Sequence, residues 1–161
     1  MRDKVVSFRS LLLAAPVIFV AHVLEEAPGF VAWVNAHIDR DITPSTFWTV
    51  NFTGLLITLA VVLFEWVSAA KLSAIAAVTW LGFLMAGNAM LHVGAALVDG
   101  AYVPGVATAV LLYLPFTAVA VTRLIRSQRL SPAATTVAVV LGALPMLAHG
   151  YLILFRGSRL F

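Results

Sequence analysis

Long apolar runs separated by short polar stretches make up most of the chain. A membrane-spanning helix needs about 20 mostly apolar residues, each adding about 1.5 Å of rise. Five runs reach that length, so the pattern predicts an all-α, polytopic membrane helix bundle that forms a single membrane-embedded domain over residues 1–161. The predicted spans cover residues 5–26, 47–66, 72–98, 102–122 and 132–155.

The connection between the first two spans, residues 28–45, has a mixed pattern. Phe30, Val31, Val34 and Ile38 recur at helical spacing, and polar residues occupy the remaining positions. This pattern predicts a short helix that lies in the membrane interface. Such a helix could cover a site beneath it as a lid, or it could simply connect the two spans through the headgroup region. The sequence leaves both interpretations open.

The composition excludes a water-soluble domain and several kinds of chemistry. Hydrophobic residues make up 62% of the chain, compared with about 45–50% in soluble domains. Charged residues make up 11%, compared with about 25%. Cysteine is absent. Disulfides, thiolate catalysis, iron–sulfur clusters and Cys-ligated zinc are therefore excluded, and any metal must be held by His, carboxylate or amide groups.

The net charge of +3 indicates membrane topology rather than a nucleic-acid partner, because the basic residues lie at the ends of apolar runs. Cytoplasmic loops carry an excess of Lys and Arg. With a cytoplasmic N-terminus, the inner side holds Arg2, Lys4, Arg9, Lys71, Arg123, Arg126 and Arg129, and the outer side holds Arg40, Arg156 and Arg159. We therefore predict a cytoplasmic N-terminus and an external C-terminus.

The polar residues within the predicted spans fall at one depth. They are His22, Glu25, Glu26, Asn51, Asn88, His92 and His149. Ionisable groups in hydrocarbon are costly and are functional candidates by default. Counted from the inner ends of their helices, His22 and His149 lie about 25 Å along, and Asn51 lies about 6 Å below the outer start of its span. All seven belong to the outer third of the predicted bundle.

The spacing of these residues also gives them shared helix faces. His22, Glu25 and Glu26 are three and four residues apart, and Asn88 and His92 are four apart. Because the hydrocarbon holds no water to solvate them, these faces are expected to point toward one another. We therefore predict one shared polar site. The alternative is a set of separate hydrogen bonds between helices.

Prolines inside three spans favour a cavity near this site. Pro16, Pro115 and Pro145 each remove a backbone donor, and each is expected to bend its helix. Pro145 precedes His149 by four residues, so its bend would lie directly below that side chain.

Three imidazoles and two carboxylates match the ligands of zinc, non-haem iron, manganese or copper. Three His ligands with a carboxylate nearby would suit a zinc hydrolase, in which the carboxylate takes a proton from metal-bound water. Two His and one Glu would suit iron and oxygen chemistry. The candidate metal ligands are His22, Glu25, Glu26, His92 and His149; Glu25 and Glu26 are also candidate catalytic groups, and Asn51 and Asn88 are candidate cofactor-binding residues that orient the ligands.

The sequence HVLEE at residues 22–26 resembles the signature of the HXXEE family of small bacterial integral membrane proteins. The later His and Asn residues within the spans are similar to the rest of that pattern. The motif differs from the zinc-protease motif HExxH in the order of His and Glu, and it lacks the second His. The resemblance implies a multi-span protein of the bacterial cytoplasmic membrane in which His22, Glu25 and Glu26 are important. It implies no activity.

Three classes of function remain open at this point. The first is a metal-dependent hydrolase or oxidoreductase that acts on a lipid-soluble or amphipathic small molecule, with a metal-free Glu–His acid–base enzyme as a variant. The second is a proton- or metal-ion-coupled transporter, for which the nearly apolar inner half disfavours a monomeric pore but leaves a homo-oligomeric carrier open. The third is a non-catalytic subunit that holds a metal, haem or quinone. The expected partners are the lipid bilayer and a hydrophobic small molecule.

Overall fold

The computed structural model describes residues 6–160, and every regular element in that range is helical. Five helical segments are long and apolar enough to cross a membrane, which confirms the predicted polytopic helix bundle. We call them spans one to five: Phe8–Glu26, Pro44–Ser68, Lys71–Asp99, Val106–Arg126 and Pro132–Arg156. Arg2 and Lys4, which contributed to the predicted orientation, and the predicted start of the first span at residue 5 lie outside the described residues.

Span one is broken near its start. It consists of helices Phe8–Leu12 and Ala15–Glu26, joined by a turn. Pro16 lies in the first turn of the second helix, where its missing N–H costs nothing because that donor would have no helical partner. The expected effect of this proline is therefore seen as a break between two helices.

Spans three and four each contain a π-helical segment. Span three comprises Lys71–Leu81, the π-helical Gly82–Gly87 and Asn88–Asp99, and span four comprises Val106–Thr108, the π-helical Ala109–Tyr113 and Leu114–Arg126. Such segments are rare and frequently occur at functional sites. The predicted fourth span began at residue 102, but residues 102–105 form a non-helical loop and the helix begins at Val106.

Spans two and five are continuous helices with similar starts. Thr43 and Ser131 accept a hydrogen bond from a backbone N–H three residues on, and a proline follows each of them. Span five, which contains Pro145, packs against span three, the most buried of the five. The two backbones nearly touch, because a Cβ placed on Gly142 would lie only 2.0 Å from the Thr79 carbonyl oxygen.

The outward faces of the bundle are strongly apolar. Side chains such as Val17, Leu97 and Leu111 are at least 70% exposed. Exposed apolar surface on this scale is unfavourable in water but is the surface that a helix presents to lipid. The apolar outer surface and the length and composition of the helices thus both indicate a bundle that is surrounded by lipid.

A buried ion pair lies at the end of the bundle where spans two and three meet. Glu65 is fully buried, and the Arg129 guanidinium donates to both of its carboxylate oxygens, with 2.9 Å between Nη2 and Oε2. Ser73 Oγ donates to Glu65 Oε2 at 2.6 Å, and Arg129 also donates to the Ala70 carbonyl. This Glu65–Arg129 pair ties the loop between spans four and five to the loop between spans two and three.

At the opposite end, the connection between spans one and two carries a helix at Phe30–Asn35, shorter than the predicted interfacial segment. Trp33 Nε1 donates to Asp99 Oδ2 at 2.7 Å. His37 Nδ1 and Nε2 lie 2.8 and 3.1 Å from the Trp33 carbonyl oxygen and from Asp99 Oδ1. Burial disfavours a charged His37 ring, but these two acceptors outweigh it and raise the pKa of His37. The connecting helix is thereby fixed to the end of span three.

Candidate metal centre

Side chains from spans one and three meet in a buried cluster that consists of His22, Glu26 and His92. His22 and Glu26 lie one turn apart on span one, and His92 faces them from span three. Glu26 Oε1 lies 3.3 Å from His22 Nε2 and 3.0 Å from His92 Nε2. None of the three residues is more than 4% exposed, and one potential ligand atom from each lies within 4.8 Å of the other two.

The buried nitrogens of this His22–Glu26–His92 cluster are suited to a cation. Within the described part of the chain, His22 Nε2 and both ring nitrogens of His92 form no well-directed hydrogen bond. Buried polar atoms are normally hydrogen-bonded, and an exception needs a physical reason. Two imidazoles and one carboxylate bind zinc in some hydrolases and iron(II) in non-haem oxygenases. The donor set therefore fits a divalent metal ion.

Thr108 sets the orientation of the His22 ring. Its Oγ1 lies 2.8 Å from His22 Nδ1 and donates to Glu25 Oε2 at 2.5 Å. Because the hydroxyl hydrogen points at the carboxylate, Oγ1 accepts from Nδ1–H of His22. This network assigns the proton to Nδ1 and leaves the Nε2 lone pair facing Glu26 and His92, as a metal ligand requires.

Glu25 lies outside the cluster, although it is adjacent to Glu26. Successive residues on an α-helix project about 100° apart, so the two carboxylates diverge. Glu25 accepts hydrogen bonds from the backbone N–H groups of Ala107 and Thr108 at 3.0 and 2.7 Å and from the Tyr102 hydroxyl at 2.6 Å. The hydrogen bond to Glu25 raises the pKa of Tyr102, because ionising the phenol would remove the donated proton, and burial and the negative charge of Glu25 act in the same direction. Glu25 therefore caps the start of span four and holds Thr108 against His22.

The loop before span four encloses the cluster on one side. Gly105 has a φ of +96°, and a Cβ built on it would lie 2.7 Å from His92 Cε1, 2.9 Å from His22 Cε1 and 3.0 Å from Glu26 Cγ. The fully buried Tyr113 packs its ring against His22 with 4.3 Å between ring centroids. Backbone and aromatic ring thus leave no room for an added side chain beside the cluster.

A cavity of about 490 Å³, which we call the site cavity, adjoins His22 and Glu26. This volume is typical of small-molecule binding sites. Phe30 of the connecting helix lines it and packs against His92, with 5.8 Å between ring centroids. Most of the lining is apolar and comes from spans one, two, three and five, including Phe19, Phe47, Ile57, Trp80, Phe83 and Leu84.

The remaining predicted site residues line this cavity rather than joining the cluster. His149 lies on the wall, and its Nδ1 accepts a hydrogen bond from the Leu160 N–H at 3.2 Å. Asn51 and Asn88 also line the cavity, and Asn51 Nδ2 donates to the Phe47 carbonyl at 3.0 Å. Counting residues gives the depth of a side chain but not its position around the bundle axis. The depth predicted for His149 and His22 therefore did not reveal that His149 lies outside the cluster.

The sequence pattern did not indicate Thr108, Tyr102 or Gly105 as site residues. Pro104-Gly105 is a turn signal and could have marked this loop. Nothing in the local pattern indicates that Thr108 meets residues more than 80 positions earlier.

A family model described as a protein of unknown function with an HXXEE motif matches residues 13–120. The match includes all three members of the His22–Glu26–His92 cluster and the Thr108 contact. No curated protein and no solved structure matches the chain at a significant level.

Proposed function

The chain belongs to the HXXEE-motif family, and we propose that it is a membrane-embedded metalloenzyme that acts on a hydrophobic or amphipathic small molecule. One divalent cation, zinc or iron(II), would be bound by His22 Nε2, His92 Nε2 and the Glu26 carboxylate. The observation that carries the proposal is the meeting of three buried ligand atoms from two spans beside an apolar cavity.

Three protein ligands leave coordination positions for water or substrate, and a bound cation would polarise a substrate oxygen or lower the pKa of a bound water. The chain's own residues prepare the site for such chemistry. Thr108 and Glu25 hold the His22 ring in the ligand tautomer. The cluster residues are almost fully buried, and this burial strengthens electrostatic interactions around them.

We further propose a bacterial cytoplasmic membrane location, with the cluster near the non-cytoplasmic face. Support comes from the basic residues that the structure describes at the two ends of the bundle. The end with the Glu65–Arg129 pair carries Arg9, Lys71, Arg123, Arg126 and Arg129, and the end near the cluster carries Arg40, Arg156 and Arg159. The larger number of basic residues marks the cytoplasmic side.

The test of the proposed function compares His92→Ala with wild type in two measurements. The first is elemental analysis of the detergent-purified protein, where we expect about one zinc or iron per wild-type chain and only background metal in the variant, because a ligand is lost. The second is mass spectrometry of bacterial lipid extract incubated with the metal-loaded protein. We expect chemical conversion with wild type and none with His92→Ala.

His149→Ala is the matched control, because His149 lines the cavity outside the cluster. It should keep its metal. Full metal content in His92→Ala, or equal loss in both variants, would contradict the assigned ligands. Metal flux into proteoliposomes without any chemical conversion would contradict the enzyme proposal and support a transporter.

A second prediction concerns Thr108→Val, which keeps the side-chain shape but removes the hydroxyl between His22 and Glu25. Residues that orient metal ligands typically contribute about 10–100-fold to metal affinity. We expect metal binding to weaken at least about tenfold, measured by competition with a chelator. Thr122→Val is the control, because that hydroxyl bonds only to its own helix at the Ala118 carbonyl. Equal affinities in both variants would show that Thr108 does not position His22.

A further inference from the structure

Arg159 places a positive charge on the wall of the site cavity. It is the only Arg or Lys among the described lining residues, and it is half-buried. The ion pairs found within residues 6–160 do not include it. A guanidinium favours bidentate contact with a carboxylate or phosphate, and partial burial strengthens such a contact. The other charged lining residue, Glu26, is held between His22 and His92.

The chain holds Arg159 across one end of the cavity. Before it, the Asp39 N–H donates to the Gly157 carbonyl at 2.7 Å. After it, the Leu160 N–H donates to His149 Nδ1 at 3.2 Å. These two hydrogen bonds fix residues 157–160. One joins them to the connection between spans one and two, and the other joins them to span five. Arg159 is therefore positioned by the fold rather than carried on a free tail.

The cavity extends away from Arg159 along span two. Its lining residues run from Thr46 to Ile57, which lie eleven positions apart, about 16 Å at helical rise. Trp80 and Phe83 line its deep end, and the Trp80 indole N–H already donates to the Thr58 hydroxyl at 2.9 Å. The deep end thus offers apolar contact and suits an extended hydrocarbon chain.

The cluster lies between these two ends of the cavity. A Cβ on Gly54 would lie 3.2 Å from Phe19 Cζ, so Phe19 is level with the deeper half of the span-two segment that lines the cavity, residues 46–57. His22 and Glu26 follow Phe19 by three and seven residues, about 5 and 10 Å nearer the mouth. A molecule whose head is at Arg159 would therefore bring its first chain atoms next to the cluster.

We propose that the site cavity binds a single-chain amphiphile with an anionic headgroup, a carboxylate or a phosphate. Arg159 binds the headgroup at the mouth, and the chain lies along span two toward Trp80. The bond nearest the headgroup then faces His22 and Glu26. This inference names the substrate class of the proposed enzyme and rests on that function for its chemistry, but binding can be measured without turnover.

The experiment measures equilibrium binding of dodecanoate, dodecyl phosphate and the neutral dodecanol to the protein in phosphatidylcholine nanodiscs. Wild type is compared with Arg159→Gln and with Arg156→Gln, which removes an exposed arginine at the end of the same span. We expect Arg159→Gln to lower the affinity for at least one of the two anions by about tenfold or more, because a charge-assisted hydrogen bond is lost. Dodecanol binding should not change, and Arg156→Gln should behave as wild type.

The anion that depends on Arg159 identifies the headgroup as carboxylate or phosphate. Unchanged binding of both anions in Arg159→Gln, or equal weakening in Arg156→Gln, would overturn the proposal. The same measurement in His92→Ala separates the two proposals. If neither wild type nor His92→Ala contains metal but Arg159→Gln still weakens anion binding, the headgroup site is supported and the metalloenzyme is not. Metal bound in wild type with no Arg159 dependence would overturn the headgroup site alone.

Discussion

Gly105→Ala is expected to abolish metal binding at the His22–Glu26–His92 cluster while the bundle stays folded. A Cβ at position 105 would lie under 3 Å from ring atoms of both histidines, a separation that real side chains do not adopt. His22 cannot withdraw without breaking its contact with Thr108. The added methyl group must therefore push the two imidazoles apart or move the loop that starts span four. Elemental analysis and competition with a chelator measure the expected loss of metal content and metal affinity.

Gly100→Ala is the matched control for this prediction. Gly100 also has a positive φ, +61°, but a Cβ there meets no atom within 4 Å. Both substitutions force alanine into left-handed backbone, at a cost of about 1–2 kcal/mol. Only Gly105→Ala adds the collision with the cluster. If both variants kept full metal content, the loop would not enclose the cluster; if both lost it, backbone strain rather than contact would be the cause.

The spans were predictable because length and apolar composition determine them with little help from tertiary contacts. The helix ends were less predictable. Span two begins at Pro44 rather than residue 47 because Thr43 caps it. Span four begins at Val106 because the backbone at Gly105 has a positive φ, which is not helical. Both differences come from local cap and turn chemistry that a hydrophobicity pattern does not register.

The contacts of the candidate site were only partly predictable from the sequence. Helical rise placed His22, His92 and His149 at one level, but only the first two meet, because rotation about each helix axis depends on packing. The pair at residues 25 and 26 shows the same limit: Glu26 turns toward His92, and Glu25 turns toward span four. Thr108 was missed because its role exists only once span four packs against span one.

Glu65→Leu is expected to cause a large loss of stability although it lies far from the cluster. The change leaves the Arg129 guanidinium, whose side chain is 22% exposed, without its carboxylate in an apolar setting. Breaking a buried pair on one side costs about 3–5 kcal/mol, and the remaining exposure of Arg129 favours the lower value. The free energy of unfolding, measured by denaturing-detergent titration, should fall by about 3 kcal/mol.

The double variant Glu65→Leu with Arg129→Met distinguishes the stability of the pair from the cost of leaving one charge alone. Replacing both partners by apolar side chains is often nearly neutral, so the double variant should recover most of the loss. Arg126→Met, which removes an exposed arginine from the same end of the bundle, should change stability by less than about 0.5 kcal/mol. If the double variant is as unstable as Glu65→Leu, the hydrogen bond that Ser73 donates to Glu65, rather than the ion pair, holds these loops together.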